Sequence, residues 1–198
     1  HRAKTLTRVA GYPLMALARI YDNYRDENDL EICEQILDWL EEWRAEDGGF
    51  FYIAYTPPGN AKVGTALSDG ILSCALMRHH DITGSERSWK ILKQLLDDDI
   101  QSTGVFNEDG FTLKSSSPFR DYYEPEPDFF FEPLIYASQQ TGDPQYAELG
   151  YADMQRIFVQ RNMLVSAGNE APPHFYRYWL PFLARADELG ILADPKPF

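Results

Sequence analysis

The sequence has 198 residues, of which 44% are hydrophobic, which is enough to bury the core of one compact domain. Its 31 acidic and 18 basic residues give a formal net charge of -13, a field that repels nucleic-acid phosphates and anionic membrane surfaces. No apolar run approaches the roughly 20 residues of a membrane span. The composition therefore predicts that the chain binds neither nucleic acid nor a membrane.

Charge-poor stretches alternate along the chain with one-sided amphipathic stretches, which predicts alternating inner and outer helices. The charge-poor stretches are YPLMALARIY (12–21), ILSCALMRHH (71–80) and FFFEPLIYAS (129–138). The amphipathic stretches that follow them are DLEICEQILDWLEEW (29–43), SERSWKILKQLL (85–96) and QYAELGYADMQRIF (145–158). A helix that is apolar nearly all round is enclosed by neighbours, whereas one with a charged face meets water. The tail (175–192) predicts a fourth inner helix, which makes about seven helices.

The turns inside these helix pairs repeat. Gly84 and Gly142 are suited to close an inner helix, and Ser85 and Asp143 to cap the outer helix that follows. A third, degraded copy is RDENDLEI (25–32), where we expect Asn28 to be the cap and Glu31 to complete a capping box. The expected caps at 28, 85 and 143 recur every 57 to 58 residues, as in stacked helical hairpins.

The connections between pairs are long and rich in Gly, Pro and aromatic residues. They cover residues 45–65, 103–128 and 165–175, and each leads into the start of an inner helix. Loops of more than about 12 residues in a compact domain are usually functional when they are not disordered. We therefore expect the three connections to gather on one face and to carry the functional site there.

The turns TGD (141–143) and the phrases DGGFF (47–51) and DGF (109–111) give the chain a family resemblance. It resembles the (α/α) toroid proteins of the six-hairpin glycosidase superfamily and the related toroidal polysaccharide lyases. The resemblance implies an all-α fold and a glycan cleft at the starts of the inner helices. A closed ring of six hairpins needs about 350 residues at this period, and about three and a half pairs are present. The expected fold is thus a partial (α/α) toroid in one domain, residues 1–198, either part of a larger enzyme or completed by another chain or domain.

Three carboxylates are candidates for glycoside hydrolysis. Asp69 and Asp128 occupy near-equivalent positions at the starts of consecutive inner helices, where their separation suits the pair of an inverting glycosidase. Glu132 lies in the apolar run FFFEPL, and burial raises the pKa of a carboxylic acid toward the range of a general acid. The alternatives are that the aspartates cap helices and that Glu132 is a buried, hydrogen-bonded carboxyl.

A second set of residues suits elimination at a uronate, which needs a base, an acid and a cation. The catalytic candidates are His174, Tyr176 and Arg177, which resemble the residue set of toroidal lyases. The candidate substrate-binding residues are polar, cationic or aromatic: His1, Arg8, Tyr52, Tyr55, Arg120, Tyr122, Tyr123, Asn169, Tyr178 and Trp179. Equally, the aromatic residues are suited to wedge between helices, and the arginines to pair with surplus acids.

Two function classes follow from these features. The first is a carbohydrate-active domain acting on glycosidic linkages, as a glycoside hydrolase or a polysaccharide lyase, with epimerase chemistry as a lesser option. The second is a non-catalytic helical-repeat module that binds a glycan or a protein on its concave face. The sequence predicts no cofactor and no metal site, and a secreted or periplasmic location if the substrate is a polysaccharide. Cys33 and Cys74 are expected to be buried thiols, with a disulfide between them left open.

Overall fold

The computed structural model describes residues 7–42, 66–102, 104–107, 110–113, 130–160, 184–188 and 190. Six helices form three consecutive pairs: α1 (Thr7–Tyr24), α2 (Glu27–Glu42), α3 (Ala66–Thr83), α4 (Glu86–Ser102), α5 (Phe131–Thr141) and α6 (Pro144–Gln160). Residues 184–188 are also helical and fall within the predicted fourth inner helix. None of the helices described is long and apolar enough to cross a bilayer.

The first helix of each pair is inner, as predicted. Helices α1, α3 and α5 pack side by side in that order, and each also contacts its own partner. The stretch 71–77 of α3 is buried without interruption, whereas α2 buries only the stripe of Cys33, Leu37 and Leu40. The even burial of α3 and the one-sided burial of α2 follow from where each helix carries its charges. The sequence prediction of alternating inner and outer helices is confirmed.

The outer helices are linked to one another by charged side chains. Arg87 on α4 contacts three carboxylates of α2 at 2.5 to 2.9 Å. On the other side of α4, Asp97 accepts hydrogen bonds from Lys93 (2.6 Å) and from the hydroxyl of Tyr146 on α6 (2.5 Å). The outer layer therefore runs α2, α4, α6 beside the inner layer α1, α3, α5.

The turn between α3 and α4 and the turn between α5 and α6 share their hydrogen bonds as well as their sequence pattern. The hydroxyls of Thr83 and Thr141 each donate to the carbonyl four residues earlier, at 2.6 and 2.7 Å. Each hydroxyl then accepts the backbone N–H two residues further on, at 3.2 and 3.1 Å. Gly84 (φ +69°) and Gly142 (φ +73°) lie between, in the left-handed region that favours glycine. The motif thus ends one helix and starts the next.

The first turn differs from its sequence prediction. Helix α2 is capped by Asp26, whose carboxylate accepts the backbone N–H of Asn28 at 3.0 Å. The predicted cap at Asn28, with Glu31 completing a capping box, is wrong because Asn28 already lies inside the first turn of the helix. Arg25 takes the left-handed conformation (φ +56°) that glycine takes in the other two turns. Measured at these positions, the repeats are 59 and 58 residues long, so the predicted period holds.

The second long connection contains a β-hairpin that the sequence analysis treated as loop. Strand β1 (Gly104–Asn107) pairs antiparallel with β2 (Gly110–Leu113), and Phe106 stands opposite Phe111. Strand β2 contacts α6. Both cysteines are buried and no disulfide links them, so the expectation of two buried thiols is confirmed.

Candidate functional site

The three inner helices run in the same direction. Gly11 of α1 lies against Ile71 and Leu72, and a Cβ on it would stand 3.2 Å from the Leu72 Cα. Eight residues later, α1 lines a common cavity with the last turns of α3. Between α3 and α5, side-chain contacts likewise advance together along both helices, from residue 78 to 80 and from 132 to 136. The starts of the inner helices therefore lie at one end of the assembly, as the site prediction requires.

A cavity of about 490 Å³ lies between α1 and α3. We call it the inner cavity, and it is lined by Tyr12, Met15, Ala16, Arg19, Arg78 and Ile82. All six residues belong to inner helices, so the described lining of the cavity comes from the inner layer alone. Its size is in the range of small-molecule sites. The lining combines an aromatic ring, two guanidinium groups and apolar surface, which suits a polar ligand with a flat face.

An ion pair between α3 and α5 borders the inner cavity. Arg78 donates from Nη2 to Oε1 of Glu132 at 2.5 Å. The Glu132 side chain is 5% exposed, and that of Arg78 is 36% exposed. The contact with the guanidinium offsets part of the free energy that burial of the Glu132 side chain costs. Glu132 is buried, as the sequence predicted, and its cationic partner gives it the additional task of holding Arg78 beside the cavity.

Two more predicted residues lie in the first turns of inner helices. Arg8 is the second residue of α1 and Asp69 is the fourth residue of α3. By the repeat spacing, Glu132 corresponds to Cys74, five residues beyond Asp69, which is roughly 7 Å further along the helix axis. The three predicted residues are therefore brought to the same inner layer, with Glu132 deeper in it than the other two.

The remaining predicted residues lie outside the described residues. They are Asp128, His174, Tyr176, Arg177, His1, Tyr52, Tyr55, Arg120, Tyr122, Tyr123, Asn169, Tyr178 and Trp179. Their roles stay predictions. In the part of the chain that is described, no group of three or more His, Cys, Asp or Glu side chains is arranged to hold a metal ion.

The sequence analysis missed the residues of the inner cavity. Tyr12, Arg19 and Arg78 lie in the middle or the last turns of inner helices, whereas the prediction placed the site at the helix starts. One signal was available: Arg19 and Arg78 stand 59 residues apart, which is the length of the first repeat. Because both arginines occupy the same repeat position in otherwise charge-poor helices, this spacing indicates that they face the same part of the inner layer.

The far ends of the inner helices carry an aromatic cluster. His80 contacts the hydroxyl of Tyr136 through Nδ1 at 2.7 Å and stacks on Trp89, with ring centroids 5.8 Å apart. The guanidinium of Arg185, from residues 184–188, lies 5.4 Å from the centre of the Tyr136 ring. Burial raises the pKa of Tyr136 to about 12, so its hydroxyl keeps its proton. The cluster joins α3, α4, α5 and the segment 184–188 and acts as structural packing.

Histidine 79 is buried between α3 and α4. Its Nδ1 lies 2.7 Å from the Ser88 hydroxyl, and it is 1% exposed. Burial disfavours the charged imidazolium and lowers the pKa of His79 below its ordinary value. The residue therefore packs as a neutral ring.

Comparison with known proteins finds relatives by structure alone, since no family model and no curated protein matches the chain. A GH76 α-mannanase from Bacteroides thetaiotaomicron superposes with a TM-score of 0.65 at 12% identity, over 94% of this chain and 52% of the mannanase. The chain has the helical architecture of an (α/α) toroid. The predicted fold of alternating inner and outer helices in an (α/α) toroid is thereby confirmed.

Two further toroids match over a similar extent. An inactive variant of the GH76A α-1,6-mannanase of Salegentibacter sp. HEL1_6, in complex with α-1,6-mannotetrose, gives a TM-score of 0.63 at 13% identity, over 98% of this chain and 59% of the other. Cellobiose 2-epimerase from Spirochaeta thermophila gives a TM-score of 0.58 at 13% identity, over 95% of this chain and 60% of the epimerase. The chain spans between half and three fifths of these structures. At such identities the likeness concerns the fold, and these neighbours act on carbohydrates.

Proposed function

We propose that the chain is a carbohydrate-active domain that binds a glycan on the concave side of its inner helices and acts on a glycosidic linkage. The observation that supports the proposal is the inner cavity, whose described lining comes from the inner helices and includes the exposed ring of Tyr12. A sugar ring presents a flat face of C–H groups that packs on an aromatic ring. Known toroids with glycan ligands support this assignment through their fold.

Two reaction classes follow from the two predicted residue sets. In hydrolysis, Asp69 and Asp128 act as the carboxylate pair, with Glu132 as the general-acid alternative. In elimination, His174 and Tyr176 transfer the proton and Arg177 neutralises the uronate carboxylate.

The experiment is a screen of neutral and uronate-containing polysaccharides with the chain at micromolar concentration. Reducing-end release without new ultraviolet absorbance identifies hydrolysis, and absorbance from an unsaturated product identifies elimination. In the first case Asp69→Asn and Asp128→Asn should each reduce turnover at least a hundredfold. In the second, His174→Gln should do so while the aspartate variants retain activity. Full activity in all three variants would contradict both residue assignments.

A non-catalytic binding module is the second candidate function. The described lining of the inner cavity includes no carboxylate or histidine that faces a ligand as acid or base, which favours binding without chemistry at this position. Saturable glycan binding with no product in either assay would select this candidate. Binding that is lost in Tyr12→Ala would locate the ligand in the inner cavity.

A further inference from the structure

Two arginines line the inner cavity from the same position of consecutive repeats. Arg19 and Arg78 are separated by one repeat length, and α1 and α3 run in parallel, so their side chains leave the helices at the same height. Neighbouring helix axes lie about 8 to 10 Å apart. Both arginines line this cavity, Arg78 while it contacts Glu132 of α5 and Arg19 while it lies near Asp22 of α1.

Each guanidinium has hydrogen-bond donors left for a ligand. Arg78 contacts Glu132 through one terminal nitrogen, and this is its single partner among the residues described. A guanidinium carries five N–H donors in a fixed plane, so most of those on Arg78 make no contact with the residues described. Arg19 makes a long contact of 3.7 Å to Asp22, and its side chain is 72% exposed. An exposed pair of this kind contributes little free energy, and a ligand displaces it readily.

The described lining of the inner cavity includes cationic side chains, although the chain as a whole is acidic. The chain has a formal net charge of -13, and the two charged residues in that lining, Arg19 and Arg78, each have one carboxylate beside them, Asp22 and Glu132. Tyr12, 54% exposed, lies seven residues before Arg19, which is about 10 Å along α1. The cavity therefore offers an aromatic ring in the second turn of α1 and guanidinium groups further along α1 and α3.

We propose that the inner cavity binds a sugar residue that carries an anionic group, either a uronate carboxylate or a sulfate ester. The sugar ring stacks on Tyr12, and Arg19 and Arg78 hold the anionic group. Arginine suits this task because its planar donors match carboxylate and sulfate oxygens in pairs. Glu132 is a positioning residue that fixes Arg78. The inference rests on the proposed function and adds the chemical class of the ligand.

The test is calorimetric titration of the chain with four probes: methyl glucoside, methyl glucuronide, glucose 6-sulfate and inorganic sulfate. We expect one or both acidic sugars to bind at least tenfold more tightly than methyl glucoside, and also more tightly than inorganic sulfate. Preference for the glucuronide or for the sulfate ester identifies the source of the anion. Equal affinity for the neutral and acidic sugars would overturn the inference, and so would inorganic sulfate that binds as tightly as the sugars.

Variants locate the binding. Arg19→Met should weaken the acidic sugar at least tenfold and leave methyl glucoside unchanged, whereas Tyr12→Ala should weaken both. Arg87→Met, a change of the same type on the outer layer, is the matched control and should bind like the parent. Arg19 is exposed, so its variant keeps the folded structure even if Arg78→Met does not. An Arg19→Met variant with unaltered affinity for the acidic sugar would refute the proposal.

The outcome is separable from that of the proposed function. Cleavage of neutral polysaccharides without any preference for acidic sugars would refute the proposed acidic ligand and support the proposed carbohydrate activity. Tight, Arg19-dependent binding of an acidic sugar without cleavage of any polysaccharide would support the ligand class and remove the catalytic assignment.

Discussion

The ion pair between Arg78 and Glu132 supports a quantitative prediction, because its two partners differ in exposure. Glu132 is 5% exposed, and Arg78 is 36% exposed. Removing the arginine leaves a carboxylate buried without its cation. Removing the carboxylate charge leaves a guanidinium that still reaches water. We therefore expect Arg78→Met to destabilise the chain more than Glu132→Gln does.

The magnitudes follow from these surroundings. Breaking a fully buried pair by removing one partner costs about 3 to 5 kcal/mol, and the partial exposure of Arg78 places its removal near the lower end, at about 3 kcal/mol. Glu132→Gln keeps an oxygen that accepts from Arg78 and loses only the charge, so we expect about 1.5 kcal/mol. For a chain of this size these values correspond to a fall in Tm of roughly 6 to 12 °C and 3 to 6 °C.

The assay is urea unfolding followed by far-ultraviolet circular dichroism, for the parent, both single variants and the double variant. If the two side chains interact as described, the double variant loses at least about 1 kcal/mol less than the sum of the single losses. Arg25→Met, on an exposed turn, is the control and should add independently to either change. Single losses that add to within about 0.5 kcal/mol, or a larger loss for Glu132→Gln than for Arg78→Met, would refute the reasoning.

Four further predictions concern stability and reactivity. Arg87→Ala removes three carboxylate contacts between α2 and α4 and should lower the free energy of unfolding by about 1 kcal/mol, with a smaller effect in 1 M salt. Burial lowers the pKa of His79, so as the pH falls the unfolded chain binds a proton at this residue before the folded chain does. The free energy of unfolding should therefore decrease as the pH drops below the ordinary pKa of 6.5 and level off below the folded pKa. In urea titrations, a His79→Gln variant should show a smaller decrease. The Cys33 thiol, with its pKa raised by burial to about 11, should not react with a disulfide reagent at pH 8 until urea unfolds the chain. Gly142→Ala places a Cβ in the left-handed region and should cost about 1 kcal/mol, whereas Arg25→Gly at the equivalent turn should be neutral or stabilising by thermal unfolding.

The helical architecture was predictable because it depends on local patterns. The charge-poor run 71–77 is buried, and the Thr-Gly turns end and start helices through hydrogen bonds between residues two to four apart. Such features are encoded within single stretches of sequence. The cap of α2 was mispredicted because RDENDL offers several side chains suited to the role, and the choice of Asp26 over Asn28 depends on where the helix begins. The β-hairpin was missed because its strands are only four residues long.

The candidate site was less predictable because it depends on contacts between repeats. The burial of Glu132 follows from its apolar neighbours, but its partner Arg78 lies 54 residues earlier. By the repeat spacing Arg78 corresponds to Tyr136, one turn beyond Glu132, so the arginine reaches back along the helix to make the pair. Sequence periodicity gives the register of two helices, and it does not give the direction in which a long side chain bends.

The same register explains why the cationic pair is confined to the first two repeats. The position of Arg19 and Arg78 is taken in the third repeat by Tyr136, whose hydroxyl contacts His80 at the far end of the inner helices and whose ring lies beneath Arg185. A third arginine there would be directed toward the guanidinium of Arg185 and would be repelled by it. In the described inner helices, each repeat supplies the same scaffold, and the side chain at this one position differs between the inner cavity and a packed interface. Replacing Tyr136 should therefore disturb packing at the far end, whereas replacing Arg19 should alter binding alone.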